Sequence, residues 1–194
     1  MALDEAWTRL LDAYASSVTA ASDGSIYVVG YTGSNLDDQT NNGLSDTFIS
    51  KYNSDGTKAW TRLLGGSGDD CARSATTASD GSIYVAGYTN NDLDGQINNG
   101  GYDAFISKFN SDGTKAWTRL LGGSGYDGAN STITASDDSI YVAGYTTSDL
   151  NGQTNSGRSD GFISKYNIDV ATDTSLPTLQ STTASSNQLI LTFS

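Results

Sequence analysis

The chain has 194 residues, a formal net charge of −12, no histidine and one cysteine, Cys71. The acidity argues against nucleic acid and anionic membranes as partners, because both select basic surfaces. Without histidine, the common zinc sites and the Ser-His-Asp and Cys-His mechanisms are excluded. No apolar run approaches the length of a membrane span.

The chain repeats itself with a fixed period. The stretch Asn53–Gly68 recurs letter for letter 57 residues later, and Phe48, Phe105 and Phe162 keep the same step. The first copy is shorter, since Trp7 lies only 53 residues before Trp60. Repeats of this length are typical of solenoids, propellers and arrays of supersecondary units.

Each period contains four predicted strands. In the middle copy they are Ala72–Ala78, Ser82–Thr89, Ala104–Phe109 and Thr114–Leu121. The last three are rich in Tyr, Ile, Val, Phe and Trp, which favour half-buried strands. Asp-Gly pairs between the strands are typical of hairpin turns. The pattern predicts an all-β fold, a partial β-propeller of three four-stranded blades, and argues against solenoids and helical repeats.

Both ends of the repeat region are incomplete. A lone outer strand, Ala6–Leu11, opens the chain, and the last blade, about Ser131–Tyr166, has only its three inner strands. The N-terminal strand is therefore expected to be able to complete the last blade, which removes two exposed sheet edges.

Three blades are too few for a closed ring. We expect head-to-tail self-association with a second copy to complete it, or the chain to be a fragment of a longer propeller. The predicted organisation is a three-blade β-propeller segment over residues 1–166, a linker over 167–177, and the start of a second, truncated β domain over 178–194.

The repeated residues resemble a known family. DGSIYVAGYT, DAFISKFNSDGTKAW and LLGGSG are similar to the bacterial β-propeller repeat family known as SBBP, and the resemblance covers Ala6 to about Tyr166. The tail from Asp173 resembles the opening strands of a repeat in long cyanobacterial surface proteins. The resemblance implies an exported or cell-surface bacterial protein, although MALDEAW does not read as a signal peptide.

One tryptophan recurs on each outer strand. Trp7, Trp60 and Trp117 resemble the docking tryptophans of quinoprotein-type propellers, which wedge neighbouring blades together. We expect all three to dock blades.

The loop between the second and third strands of the middle copy is a candidate calcium site. Its oxygen side chains, Asn90, Asp92, Asp94 and Asn98, follow the alternate spacing of calcium loops in integrin-type propellers. The other two loops lack the first of these ligands. The alternative is a polar turn that binds no metal, and no other cofactor is expected.

Few residues depart from the repeat in a way that suggests chemistry. Asp70 and Asp127 precede the innermost strands and are expected near the mouth of the channel. Cys71 and Arg73 differ from their counterparts in the other copies and lie two residues apart, on one face of a strand.

The sequence predicts a non-catalytic repeat scaffold that serves ligand binding or adhesion outside the cell or on its surface. The expected partners are an extracellular ligand and a second copy, without nucleic acid or a membrane span. The alternatives are a fragment of a propeller-type polysaccharide hydrolase or lyase, which would depend on Asp70 or Asp127, and a truncated product without independent function.

Overall fold

The computed structural model describes residues 4–168 and the strands at 179–185 and 188–193. Within these residues the fold consists of strands, and none of them forms a helix that could cross a membrane. The strands are β1 Tyr14–Ala20, β2 Ile26–Thr32, β3 Asp46–Tyr52, β4 Lys58–Leu64, β5 Asp70–Thr77, β6 Ile83–Thr89, β7 Asp103–Phe109, β8 Lys115–Leu121, β9 Asp127–Thr134, β10 Ile140–Thr146, β11 Asp160–Tyr166, β12 Leu179–Ser185 and β13 Gln188–Phe193.

The strands form one sheet per sequence period. The first sheet has the order β1-β2-β3-β4 and the second β5-β6-β7-β8, with every neighbouring pair antiparallel. The third contains β9-β10-β11 in the same antiparallel arrangement. The sheets do not close into a ring, and the predicted all-β partial propeller is confirmed.

The innermost strands of successive sheets lie side by side. β1 packs beside β5, and β5 packs beside β9. The backbone amide of Thr132 donates a 3.1 Å hydrogen bond to Ser74 Oγ, and that of Thr134 donates one to Thr76 Oγ1, also at 3.1 Å. Short hydroxyl side chains allow this approach because they add little bulk between the strands and satisfy polar groups there.

Apolar side chains fill the spaces between neighbouring sheets. Val29 and Ile49 of the first sheet pack in one cluster with Val85 and Phe105 of the second. The second interface repeats the pattern with Ala86, Ile106, Val142 and Phe162. Successive side chains of a strand point to opposite faces of the sheet. Each sheet can therefore present one apolar face to the preceding sheet and another to the following sheet. The core therefore lies between sheets.

The segment before β1 differs from the predicted strand Ala6–Leu11. It has no strand assignment, and it lies against the turn between β3 and β4, where Trp7 Nε1 donates to the carbonyl oxygen of Ser54 at 3.3 Å. A strand requires a partner for its backbone groups, and among the described residues no strand, β11 included, pairs with this segment. Whether the segment can complete that sheet stays a prediction.

The free edge of β11 is joined by β13, which pairs with it in parallel through three residue pairs, Ser164 to Tyr166 opposite Leu191 to Phe193. β12 and β13 pair with each other in antiparallel fashion. The predicted linker at 167–177 lies almost entirely outside the described residues, and the second β domain stays a prediction.

Candidate functional site

Three tyrosine rings meet where the second and third sheets adjoin. Tyr102 precedes β7 and Tyr126 precedes β9, and a short parallel bridge holds the two residues together. Their ring centroids are 5.6 Å apart. Tyr88, near the end of β6, meets Tyr102 edge to face at 5.3 Å. The arrangement forms a continuous aromatic row, in which Tyr126 is 54% exposed.

Arg73 completes this group. It lies at a β-bulge in β5, between the paired residues Ala72 and Ser74, and its side chain is exposed. The guanidinium lies 5.1 Å from the centroid of the Tyr88 ring, and Nη2 donates to Tyr88 Oη at 3.3 Å. Bulges redirect side chains at the edges of sites. Arg73, Tyr88, Tyr102 and Tyr126 are called the tyrosine rim below.

Cys71 lies beneath the tyrosine rim, and its chemistry is not that of a nucleophile. The thiol is buried and hydrogen-bonded to Tyr88. Burial raises the pKa of the Cys71 thiol, and the Tyr88 hydroxyl only partly offsets this. Burial also raises the pKa of Tyr88 to about 12. Both groups are therefore neutral at physiological pH, whereas a reactive cysteine requires a lowered pKa.

The tyrosine rim combines residues that break the repeat. Tyr102 stands where the other copies have Ser45 and Ser159, and Arg73 stands where they have Ser16 and Asn130. Sequence reasoning identified Cys71 and Arg73 but missed Tyr102 and Tyr126. A comparison of each residue with those 57 residues away would have found both, because Tyr102 replaces a serine and Tyr126 replaces an aspartate of the earlier copies.

The four predicted calcium ligands each have a partner within or beside their loop. Asn90 Oδ1 accepts from the backbone amide of Asp69 at 2.7 Å, and Asp92 Oδ1 accepts from that of Asn98 at 2.9 Å. Asn98 Oδ1 accepts from the amide of Gly100, and its Nδ2 donates to the carbonyl of Thr89. Asp94 pairs with Lys115.

This loop is a small hairpin. Asp94 and Gly95 both have positive φ, 53° and 75°, and they close a turn between Leu93 and Gln96. The buried side chain of Leu93 anchors it. Among the described residues, no cluster of three or more His, Cys, Asp or Glu side chains is placed to hold a metal ion. Calcium binding by this loop stays a prediction.

Trp7 and Trp117 each share one kind of contact with Trp60. Trp60 lies against Gly113, in the turn between β7 and β8, and Trp7 lies against Gly56, the equivalent glycine one sheet earlier. Trp60 also meets Tyr27 of its own sheet at a centroid distance of 5.9 Å, and Trp117 meets Tyr84 at 6.0 Å. Both glycines have positive φ and leave room for the indole ring.

Asp70 and Asp127 were expected near the mouth of the channel, but both lie away from solvent. Both are fully buried, and each accepts a hydrogen bond through Oδ2 from a backbone amide, that of Gly66 at 2.7 Å or Gly123 at 2.8 Å. Burial raises the pKa of Asp70, and the nearby charge of Asp46 adds to the effect. These carboxylates organise the joint between sheets.

Comparison with known proteins agrees with the architecture. The SBBP β-propeller repeat matches residues 59–94, and a β-propeller domain of unknown function, DUF5122, matches residues 21–58 and 78–115. These matches confirm the resemblance to bacterial SBBP-type repeats. The chain is also 32% identical over 108 residues to the regulatory protein FlaEY of Caulobacter vibrioides. That match covers 50% of this chain and 11% of the relative, so the chain spans only a small part of the relative's length.

Proposed function

We propose that the chain is a non-catalytic repeat scaffold of an exported or cell-surface bacterial protein, and that its tyrosine rim binds a saccharide outside the cell. The observation that carries the proposal is the convergence of Arg73, Tyr102 and Tyr126, all departures from the repeat, on one rim of the propeller. Scaffold positions repeat in every copy. Residues that differ and still meet in space are the ones expected to contact a ligand.

The chemistry of the rim suits a neutral sugar. Aromatic faces present broad apolar surfaces with a polar hydroxyl at the edge, and the C–H faces of a pyranose ring pack on such surfaces. Tyr126 offers its ring to solvent, while Tyr102 and Tyr88 continue the row inward. Arg73 supplies donors for sugar hydroxyls. The net charge of −12 disfavours acidic polymers at long range.

Titration calorimetry with cellohexaose as the probe tests this function. We expect saturable binding that weakens at least tenfold in Tyr126→Ala and in Arg73→Ala. Tyr14→Ala is the matched control, since Tyr14 is an exposed tyrosine stacked on Tyr31 in the first sheet, outside the rim. Absence of saturable binding, or an equal loss in the control, would contradict the saccharide proposal. Surface labelling of intact cells tests the proposed location.

The hydrolase alternative makes a different prediction. It requires turnover of the oligosaccharide and loss of that turnover in Asp70→Asn or Asp127→Asn. Incubation of the full chain with cellohexaose, followed by product analysis, separates binding from cleavage. A scaffold leaves the probe intact.

A further inference from the structure

The outer edge of the third sheet has a buried polar group whose counterparts are paired. In the first sheet Ser50 Oγ and Thr61 Oγ1 are hydrogen-bonded at 2.8 Å, and in the second sheet Ser107 Oγ and Thr118 Oγ1 are bonded at 2.9 Å. In both sheets the threonine lies on the outermost strand. Ser164 of β11 holds the same position and is 0% exposed, yet its Oγ has no hydrogen-bond partner among the described residues. A buried hydroxyl without a partner is destabilising.

The N-terminal segment carries the missing partner. Residues Ala6–Leu11 read AWTRLL, identical to the core of β4 and β8, so that Thr8 is the counterpart of Thr61 and Thr118. Thr8 is exposed, and its hydroxyl donates to Glu5 Oε1 at 2.6 Å. The segment therefore has an outer-strand sequence without an outer-strand environment.

The position of this segment is that of an outer strand from a preceding sheet. Trp7 rests on Gly56 as Trp60 rests on Gly113, and Arg9 Nε donates to the carbonyl oxygen of Gly56 at 3.1 Å. Residues 4–10 are exposed throughout, and the side chain of Leu10 is 96% exposed. One side of the segment is docked on the first sheet, and no strand among the described residues pairs with it.

We infer that β11 of a second copy of this chain pairs with this segment in antiparallel register. The β3–β4 pairing, in which Ser50 faces Thr61, fixes the register. It places Ser164 of the second copy opposite Thr8, Lys165 opposite Trp7, and Phe162 opposite Leu10. Reciprocal exchange between two copies closes a two-fold ring of six sheets, in which no sheet edge at this position stays open.

The exposed face of the third sheet around β11 agrees with coverage by a second copy of the chain. Ile163 is 41% exposed, whereas its counterparts Ile49 and Ile106 are buried against the next sheet. In the inferred ring, the first sheet of the second copy covers Ile163 as the second sheet covers Ile49. The pairing displaces β13, which holds β11 through only three residue pairs. The β3–β4 ladder comprises six pairs.

A disulfide trap in the full chain tests the inference. The double variant Thr8→Cys with Ser164→Cys places two thiols in directly opposed positions, where cross-strand disulfides form. After oxidation we expect a covalent dimer on a non-reducing gel. The two single variants are the controls, and each also contains the buried Cys71. A double variant that stays monomeric, or forms the disulfide within one chain, overturns the inference.

The mass in solution provides a second test that needs no engineered thiol. Light scattering is expected to give twice the chain mass of 20.3 kDa for the parent, and the single chain mass for Leu10→Asp. Leu44→Asp is the matched control, because Leu44 is an exposed leucine away from the inferred interface. The inference is overturned if the parent stays at 20.3 kDa at every concentration, or if Leu44→Asp is monomeric as well as Leu10→Asp. It does not rest on saccharide binding.

Discussion

The second and third sheets have closely similar sequences but different surroundings. β7 is buried along its whole length because the second sheet has a neighbour on each side, whereas β11 has a partly exposed pattern. Ile106 is 1% exposed and its counterpart Ile163 is 41% exposed. The difference shows that the repeat sequence alone does not create a core, because each sheet buries its apolar faces only against the sheets beside it.

The largest expected effect comes from truncating the isoleucine in each of the two environments. Ile106→Ala is expected to lower the free energy of unfolding by about 2–5 kcal/mol, because it leaves a cavity in a packed interface. Ile163→Ala is expected to cost less than about 1.5 kcal/mol in dilute solution, since much of that side chain already contacts water. Urea unfolding measures both.

The same pair of variants also tests the six-sheet ring. If a second copy covers Ile163, the cost of Ile163→Ala rises with protein concentration toward that of Ile106→Ala, because dimer formation is linked to stability. If Ile163→Ala and Ile106→Ala lowered the free energy of unfolding equally at every protein concentration, the third sheet would not have an uncovered face in the single chain.

A smaller effect is expected at the glycine on which a tryptophan docks. Gly113 has φ of +84°, and a Cβ placed there would lie 3.0 Å from the Trp60 ring. Gly113→Ala should therefore lower the free energy of unfolding by about 2–3 kcal/mol, through both backbone strain and displacement of the indole. Thermal or urea unfolding checks this value.

Gly152, in a turn of the third sheet, is the control. Its φ is +76° and nothing lies within 4 Å of an added Cβ, so Gly152→Ala should cost only about 1–2 kcal/mol for the backbone. If the two alanine variants were equally destabilised, Trp60 would contribute nothing to docking between the first and second sheets.

The next effect is a pH dependence of stability that comes from Asp103 at the start of β7 in the second sheet. Burial raises the pKa of Asp103 above its ordinary value of 3.8, a nearby aspartate, Asp127, adds to this, and the amide of Asn99 partly offsets it. The folded state therefore holds the proton more tightly than the unfolded state. This carboxyl favours folding at low pH, and its contribution declines as pH rises from about 3.8 through the raised pKa.

Asp103→Asn removes that titration. The difference in free energy of unfolding between variant and parent should move in favour of the variant as pH rises through this range. Asp160→Asn, at the equivalent and partly exposed position of β11, is the control. Urea unfolding at several pH values measures the two differences, and parallel curves for parent and Asp103→Asn would refute the assignment.

The parts predicted well from the sequence are those governed by local chemistry. β7 begins one residue before the predicted strand Ala104–Phe109, and β6 begins one residue after the start of the predicted strand Ser82–Thr89. Turn residues bound each strand, and the alternation of apolar side chains fixes its faces. The number of sheets followed from the period. These features need no knowledge of which repeat touches which.

The parts that were missed or differ depend on contacts between repeats. Tyr102 and Tyr126 meet only because a parallel bridge joins consecutive sheets, and neither residue lies within a regular strand. Asp70 was expected near the mouth of the channel, but it is fully buried. The segment containing Trp7 is an outer strand by sequence, yet no strand among the described residues pairs with it. Local pattern carries no information on such neighbours.

The smallest expected effect compares the middle loop with its third-sheet counterpart. If the middle loop binds calcium, the ion must compete with the pairing of Lys115 and Asp94 and with the backbone amides that donate to Oδ1 of Asn90 and Oδ1 of Asp92. We therefore expect binding to be weak, with calcium at five times its dissociation constant stabilising the fold by about 1 kcal/mol. Asp92→Ala should abolish that gain.

Asp149→Ala is the control for loop damage. It removes the equivalent loop hydrogen bond, which the amide of Asn155 donates in the third sheet, and should retain the calcium-dependent gain in stability. Melting with 5 mM calcium and with a chelator distinguishes the two loops. Identical melting midpoints for the parent under both conditions would show that calcium does not stabilise this fold.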